Sequence, residues 1–551
     1  MTTKSAGEHS DIFRIETDNP LAVSVSPAIV GGKAFGLLRM VSAGLQVPPG
    51  FVLGTACSLD YYDNGNKLPD KMMEDIHHHV RSLEKTTLKS FGSKRNPLLL
   101  SVRSGAPVSM PGMMETLLNI GLNDETASGL IRATGNPRLV WDSFRRLIQS
   151  YAEIVYDVDT SKFDEVIKSY LMQDGLKAIS ELNSVNLRML CNEFKFVFRD
   201  CTGKDFPEDP WKQLHKAVAA VFDSWFSERA EKYRSINDID STSGTACLIQ
   251  SMVFGNAGGM SGSGVGFTRN PANGNNELYV DYLANAQGED IVSGRYDVHD
   301  VTTLQQRFPN IFESLTQIKQ QLEREFLDMQ DFEFTVQEGE LFLLQTRNGK
   351  RTPLAALRVA IDLYDEKLLT AEQALALLSD TDLDNLYQCR FKNPPKEKPI
   401  ASGTTASTGV ATGIIALDEN KAIQLTNDGN TVVLVRAETS TEDIGAMHLA
   451  NAVVTVTGGR TSHAAVVARQ LGTACVVGCH SIQVDMKSRC LYINDQIYTE
   501  GEYLTVDADH GHIYKGHLEI EIHKPEDLLL RVREWQSTQS QENKSMNKTG
   551  T

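Results

Sequence analysis

The residue best suited to chemistry is His463, within Thr457-Gly-Gly-Arg-Thr-Ser-His-Ala-Ala-Val-Val-Ala-Arg-Gln-Leu-Gly472. The apolar run 452–456 reads as a buried strand, and Gly458 and Gly459 permit a tight turn after it. Thr461 and Ser462 are good helix N-caps. Ala464, Val467, Ala468 and Leu471 then fall on one helical face, and Gly472 supplies the stop. His463 is thus predicted in the first turn of a helix, where unpaired N–H groups and the positive dipole end gather. That field disfavours imidazolium, so the ring stays neutral and nucleophilic near pH 7. It also favours a dianionic phosphoryl group once one is attached. A lone histidine at such a position is otherwise an ordinary surface residue.

Three further clusters carry residue types suited to phosphate chemistry. Lys33 follows Gly31 and Gly32 at a predicted helix start, from which its ammonium could reach a phosphate. Gly-Gly-Lys alone is weakly specific, and the chain has no Walker A pattern. Arg103 ends the apolar strand 98–103. It precedes Ser109-Met-Pro-Gly-Met-Met-Glu-Thr116, whose glycine and methionines could cover a nucleotide. Its bland alternative is a pair with a surface acid. Asp331 and Glu333 share one strand face, with Gln345 leaving the partner strand close by. Such oxygen ligands suit Mg²⁺ held between protein and nucleotide phosphates, and Arg347 offers a planar fork to a phosphoryl oxygen. An exposed acidic hairpin face is the competing reading.

Recognisable elements must position these groups. A polar lead-in to about residue 28 precedes the helix that opens after the Gly-Gly turn. Helical periodicity dominates 140–235, then the period shifts towards two, with strands at 246–254, 264–269 and 278–283. Residues 332–345 read as a hairpin about a Gln-Glu-Gly turn, and 352–388 as helix. The stretch 391–400 holds four charges and three prolines, which marks a linker. A compact α/β pattern runs from 400 to 520. One amphipathic stretch, 526–535, is followed by a polar tail expected to be disordered.

At 551 residues and 41% hydrophobic content, the chain can build two or three full cores. A net charge of −17 argues against nucleic acid or an anionic membrane as partner, and no apolar run approaches a membrane span. The amino terminus has no apolar signal core, so a cytoplasmic protein is expected. Eight scattered cysteines without a CxxC pair suggest reduced thiols. The triplet His77-His78-His79 is read as a solvated helix face rather than a metal site.

The histidine string resembles the phosphohistidine loop of pyruvate phosphate dikinase and its relatives, phosphoenolpyruvate synthase and the sugar phosphotransferase enzyme I. The stretches 401–413 and 435–444 are similar to that family's swivelling domain. Ser101-Val-Arg-Ser-Gly-Ala106, the 109–116 loop, Asn285-Ala-Gln-Gly-Glu-Asp290 and Leu344-Gln-Thr-Arg-Asn-Gly-Lys-Arg-Thr352 resemble its ATP-grasp domain. The resemblance implies an α/β chain: an α+β ATP-grasp domain over 1–351 with a helical insert at about 120–235, a helical segment and linker at 352–399, a swivelling domain at 400–520, and a short helix and tail at 521–551. It implies that Lys33, Arg103 and Arg347 bind the triphosphate of ATP, that Asp331, Glu333 and Gln345 surround Mg²⁺, and that Gln250-Ser-Met-Val-Phe-Gly-Asn256, Gln250 and Met252 above all, lines the adenine pocket. The implied activity is a dikinase-type phosphotransfer. His463 takes its phosphoryl group from ATP with release of AMP, the γ-phosphoryl goes to phosphate or water, and phosphohistidine serves a small acceptor. A phosphocarrier or regulatory nucleotide-binding module is the alternative. Arg460 departs from the family's frequent Met, and Asp281 from the expected Glu. The family's C-terminal acceptor barrel has no counterpart, so a complete chain with a separate acceptor-binding subunit is expected, docking through Leu528, Leu529 and Trp535.

Overall fold

The computed structural model describes residues 11–16, 25–108, 110, 115–236, 239–292, 301–384, 386–460 and 462–549. Two compact units emerge, one of Met1–Ser261 with Thr335–Thr346, the other of Gly262–Phe334 with Arg347–Thr551. The division falls inside the 1–351 stretch rather than at its end, because the tip and base of one hairpin sort into different units.

In the first unit five antiparallel strands lie in the order Ile12–Ile15, Gly50–Leu53, Ala246–Ser251, Leu100–Gly105 and Thr116–Ile120. Leu100, Val102 and Ile249 are buried, as expected of central strands with both faces covered. The predicted helical insert is present as six helices between Asp124 and Ile236, the longest being Pro137–Tyr156 and Ser184–Thr202. Phe144, Phe163, Phe194 and Phe198 fill the space among them. The histidine triplet is not a solvated face. His79 is buried and stacks on Phe51 at 5.2 Å, while His77 Nε2 lies 3.1 Å from His215 Nε2. The helix Asp70–Thr87 turns this side towards the sheet and the Pro210–Asp223 helix, leaving only His78 exposed.

The hairpin Gln330–Gln337 and Glu340–Asn348 turns at Glu338 and Gly339, both with positive φ (53° and 89°), as a two-residue hairpin turn requires. Its base lies in the second unit with Gly262–Phe267 and Tyr279–Ala284. The glycine-rich sequence of Gly262–Phe267 has a packing cause. A Cβ on Gly264 would sit 2.1 Å from the Phe334 ring, and one on Gly266 2.7 Å from Phe332.

The domain that carries His463 is an eight-stranded sheet whose centre is parallel: Val410–Ala416, Val432–Arg436, Ala452–Thr455 and Ala474–Val477. Val433, Val435, Val454 and Val476 face one apolar layer, and Val432, Leu434, Val453 and Val477 the other. Period-two alternation here separates two buried faces, so the strands read as continuous apolar runs. At the linker, Gln388–Phe391 pairs antiparallel with Ile520–His523, so the chain enters and leaves the domain as one ribbon. The last helix, Glu526–Thr549, runs well past the expected stop at 535. Its Leu529, Val532 and Trp535 are buried against Pro353–Asp365 and Ala371–Ala376, with Trp535 4.7 Å from Tyr364. Those side chains close this chain's own core, which removes Leu529 and Trp535 as a docking surface. Among the described residues no helix is long and apolar enough to cross a membrane.

Candidate functional site

In the first unit the Gly-Gly-Lys turn and the Arg103 strand meet. The helix Pro27–Ser42 is broken at Gly31 (φ 75°, ψ 155°), where a Cβ would stand 2.0 Å from the Gly105 carbonyl oxygen. Only glycine allows that approach. The Gly32 N–H donates to Ala106 at 3.0 Å, so Lys33 begins the regular helix beside the end of the Arg103 strand. Arg103 donates to the carbonyl of Leu344 at 3.3 Å and to Oε1 of Gln345 at 3.5 Å. Gly36 of the same helix approaches Thr346, where a Cβ would meet its carbonyl at 3.2 Å. Three predicted residues, Lys33, Arg103 and Gln345, are thus gathered by one glycine break and one hairpin.

Gln250 is buried, and its carboxamide donates to the Pro48 carbonyl at 2.9 Å. The Met252 N–H donates to Leu99 at 2.9 Å, with the side chain half-buried. Gln250 therefore braces the sheet. The loop expected to cover a nucleotide, 109–116, lies outside the described residues apart from Met110, Glu115 and Thr116.

In the second unit Asp331 is 7% exposed, and Arg347 Nε donates to its Oδ2 at 2.7 Å. Burial pushes the Asp331 carboxyl above its ordinary value, Arg347 opposes that, and the nearby Glu333 charge adds to it. Asp331, Glu333 and Arg347 thus form one charged group; alternation placed the two carboxylates on one face but did not pair Arg347 with them. Among the described residues no three His, Cys, Asp or Glu side chains gather as a self-sufficient metal cage.

His463 is the first residue of the helix His463–Leu471, with Ser462 as N-cap accepting from the Ala465 N–H. The other predicted N-cap, Thr461, lies outside the described residues. Gly458 has φ 102°, and a Cβ there would meet Ser462 at 3.0 Å, so the turn needs its glycine. The ring is half-buried. Burial holds its pKa below the ordinary histidine value, and Asp443 pulls weakly the other way. Neutrality thus has burial as its main cause rather than the helix field alone. Nδ1 lies 3.3 Å from the Thr439 hydroxyl, and Nε2 has no hydrogen-bond partner among the described residues.

Thr439 had no role in the sequence reading beyond membership of the 435–444 stretch. It is held by a capping box: the Ser440 N–H donates to Asp443 at 2.8 Å, and Arg436 pairs with that carboxylate at 3.1 Å. The Ser-x-x-Asp spacing after an apolar strand was the available signal. Arg469 was also missed. It is completely buried on the helix that carries His463, and donates to the carbonyls of Arg460 (2.9 Å) and Ala406 (3.2 Å).

His463 is thus a half-buried histidine with its pKa held below the ordinary value, at the start of a helix in a domain that the chain enters and leaves through a two-stranded ribbon. Residues 429–511 match the family model for the mobile domain of PEP-utilising enzymes, and residues 66–311 that for the AMP/ATP-binding domain of pyruvate phosphate dikinase. The chain is 42% identical to pyruvate, phosphate dikinase of Clostridium symbiosum over 511 residues, which cover 92% of this chain and 58% of that protein. Over 509 residues it is 42% identical to the Rhizobium meliloti enzyme of the same name, covering 90% of this chain and 56% of that one. A chloroplastic relative from Arabidopsis thaliana is 42% identical over 491 residues, 89% of this chain and 51% of its own. The chain therefore spans a little over half the length of the curated relatives it matches. The first model spans Arg103, the second spans His463, and the alignments cover about nine-tenths of this chain, so the chain belongs to the pyruvate phosphate dikinase and PEP-utilising enzyme family.

Proposed function

We propose that this protein is a dikinase-type phosphotransferase in which His463 is the phosphoryl carrier. Nε2 of His463 attacks the β-phosphorus of ATP, the bond from that phosphorus to the α-phosphate oxygen breaks, and AMP leaves with pyrophosphohistidine remaining. The γ-phosphoryl then passes to phosphate or water, leaving phosphohistidine to serve a small acceptor. The single observation that carries this reading is the state of the ring. It is kept neutral by burial, with Nδ1 turned to Thr439 and Nε2 without a partner among the described residues. With Nδ1–H donating to the Thr439 hydroxyl, the lone pair sits on Nε2, where a nucleophile needs it.

Lys33, Arg103 and Arg347 are assigned to the triphosphate, where fixed cations offset charge on the transferring group. The Gln250–Met252 stretch is assigned to the adenine side, through backbone and the Met252 side chain. The Asp331–Glu333 pair fits Mg²⁺: hard oxygens on one strand face, one buried enough that its carboxyl is pushed up even beside Arg347. Gln345 joins them by the family resemblance. Mg²⁺ would neutralise phosphate charge, and the protein ligands leave positions for phosphate oxygens.

The relatives are named for pyruvate and phosphate, which supports these as acceptor and co-substrate. They are longer single chains, and that gives no support to a separate acceptor-binding subunit. The eight thiols, all unpaired, favour a cytoplasmic setting. Incubation with Mg·ATP should place an acid-labile, base-stable phosphoryl group on His463, seen by mass spectrometry, with AMP released. A label that persists in His463→Ala, or ADP as sole product, would refute the reading.

A further inference from the structure

Arg460 precedes His463 by three residues, on the far side of the loop that carries it. Its guanidinium stands 4.4 Å from the centroid of the Tyr279 ring, and Nη1 is 3.8 Å from Oδ1 of Asp281. Both partners belong to the strand Tyr279–Ala284. Three further contacts converge there. A Cβ on Gly459 would lie 3.7 Å from Asp281, the Tyr279 hydroxyl donates to the Thr405 carbonyl at 2.9 Å, and Arg469 lies 5.2 Å over Phe267 while donating to the Arg460 carbonyl.

The nature of the Arg460 contact matters. Asp281 is 4% exposed, so the charges meet with little solvent between them, yet 3.8 Å is beyond hydrogen-bond distance. A cation on an aromatic face is attractive but directionally soft. Such a contact favours one position of the loop without locking it, which suits a carrier that must dock and leave. Phosphorylation of His463 would add a dianion three residues away that competes with Asp281 for the same cation.

Building on the phosphohistidine reading, we propose that Arg460 is a docking latch: a positioning residue that holds the His463 loop against the Tyr279–Asp281 strand for phosphoryl transfer from the nucleotide. Three measurements on the full chain test it: the initial rate of His463 labelling by Mg·ATP, labelling of His463 by phosphoramidate (which needs no docking), and proteolytic cleavage within 392–400. Arg460→Met should slow ATP-dependent labelling roughly ten-fold, as expected from losing a partly desolvated cation–π and charge contact. Phosphoramidate labelling and ATP affinity should stay within about two-fold of wild type. Linker cleavage should rise, and Arg460→Lys should recover part of the rate. Equal ATP labelling in Arg460→Met, or a parallel fall in phosphoramidate labelling, would overturn the latch. If the wild type takes no label from ATP while Arg460→Met still speeds linker cleavage, the latch stands as a docking contact and the phosphotransfer reading falls.

Discussion

At the scale of single residues, the proposed phosphotransfer turns on which ring nitrogen of His463 carries the proton. Thr439 faces Nδ1, so replacing its hydroxyl should loosen the tautomer that leaves Nε2 as nucleophile. Thr439→Val removes one hydrogen bond and should cost about 1 kcal/mol, or roughly five-fold in the rate of ATP-dependent labelling. Thr439→Ser should stay near wild type. Single-turnover labelling of the two variants measures this, and equal rates for Thr439→Val and wild type would remove Thr439 from the mechanism. The same burial that keeps His463 neutral makes labelling insensitive to pH above the ordinary histidine value of about 6.5.

At the scale of elements, the helices Asp70–Thr87 and Pro210–Asp223 meet through a histidine pair. His77 and His215 are each held below the ordinary value by burial. Arg81 adds to this for His77 and the partner ring for His215, while Asp209 opposes it in both. Their folded pKa values thus lie below the unfolded value of about 6.5, so the unfolded chain binds more protons as pH falls. Stability from this contact is present above about pH 6.5 and is lost as pH falls through the folded values. Thermal melts between pH 8 and pH 5.5 should show the wild type losing melting temperature on acidification more steeply than a His77→Gln/His215→Gln double variant. Parallel curves would show that the pair does not govern acid stability.

At the scale of the whole molecule, the ribbon Gln388–Phe391 with Ile520–His523 marks where the His463 domain joins the rest. That domain has its own sheet and an apolar layer on each face, so it should fold when excised. A fragment spanning 398–518 should unfold cooperatively in urea and accept a phosphoryl group from phosphoramidate, yet take none from Mg·ATP. A fragment without a cooperative transition would show that the domain depends on its neighbours. Labelling of the fragment by ATP would place nucleotide binding in the wrong part of the chain.

The division between sequence and structure follows from how far each interaction reaches along the chain. Local physics determined the glycine break before Lys33, the hairpin turn at Glu338 and Gly339, the Ser462 cap before His463 and the proline-rich linker. Each depends on backbone freedom or periodicity within a few residues. The pairings of Arg103 with Gln345, Asp331 with Arg347 and Thr439 with His463 join positions 242, 16 and 24 apart. The second lies within one hairpin, yet alternation joined Asp331 to Glu333 and not to Arg347. The burial of His79 and Trp535 was misjudged for the same reason. A polar triplet and a tryptophan near a polar tail look solvent-facing until a distant helix or ring covers them, and no local pattern specifies that partner. Tertiary packing made His463 neutral by burial and brought Arg460 to Asp281, because desolvation and charge pairing depend on what surrounds a side chain in space.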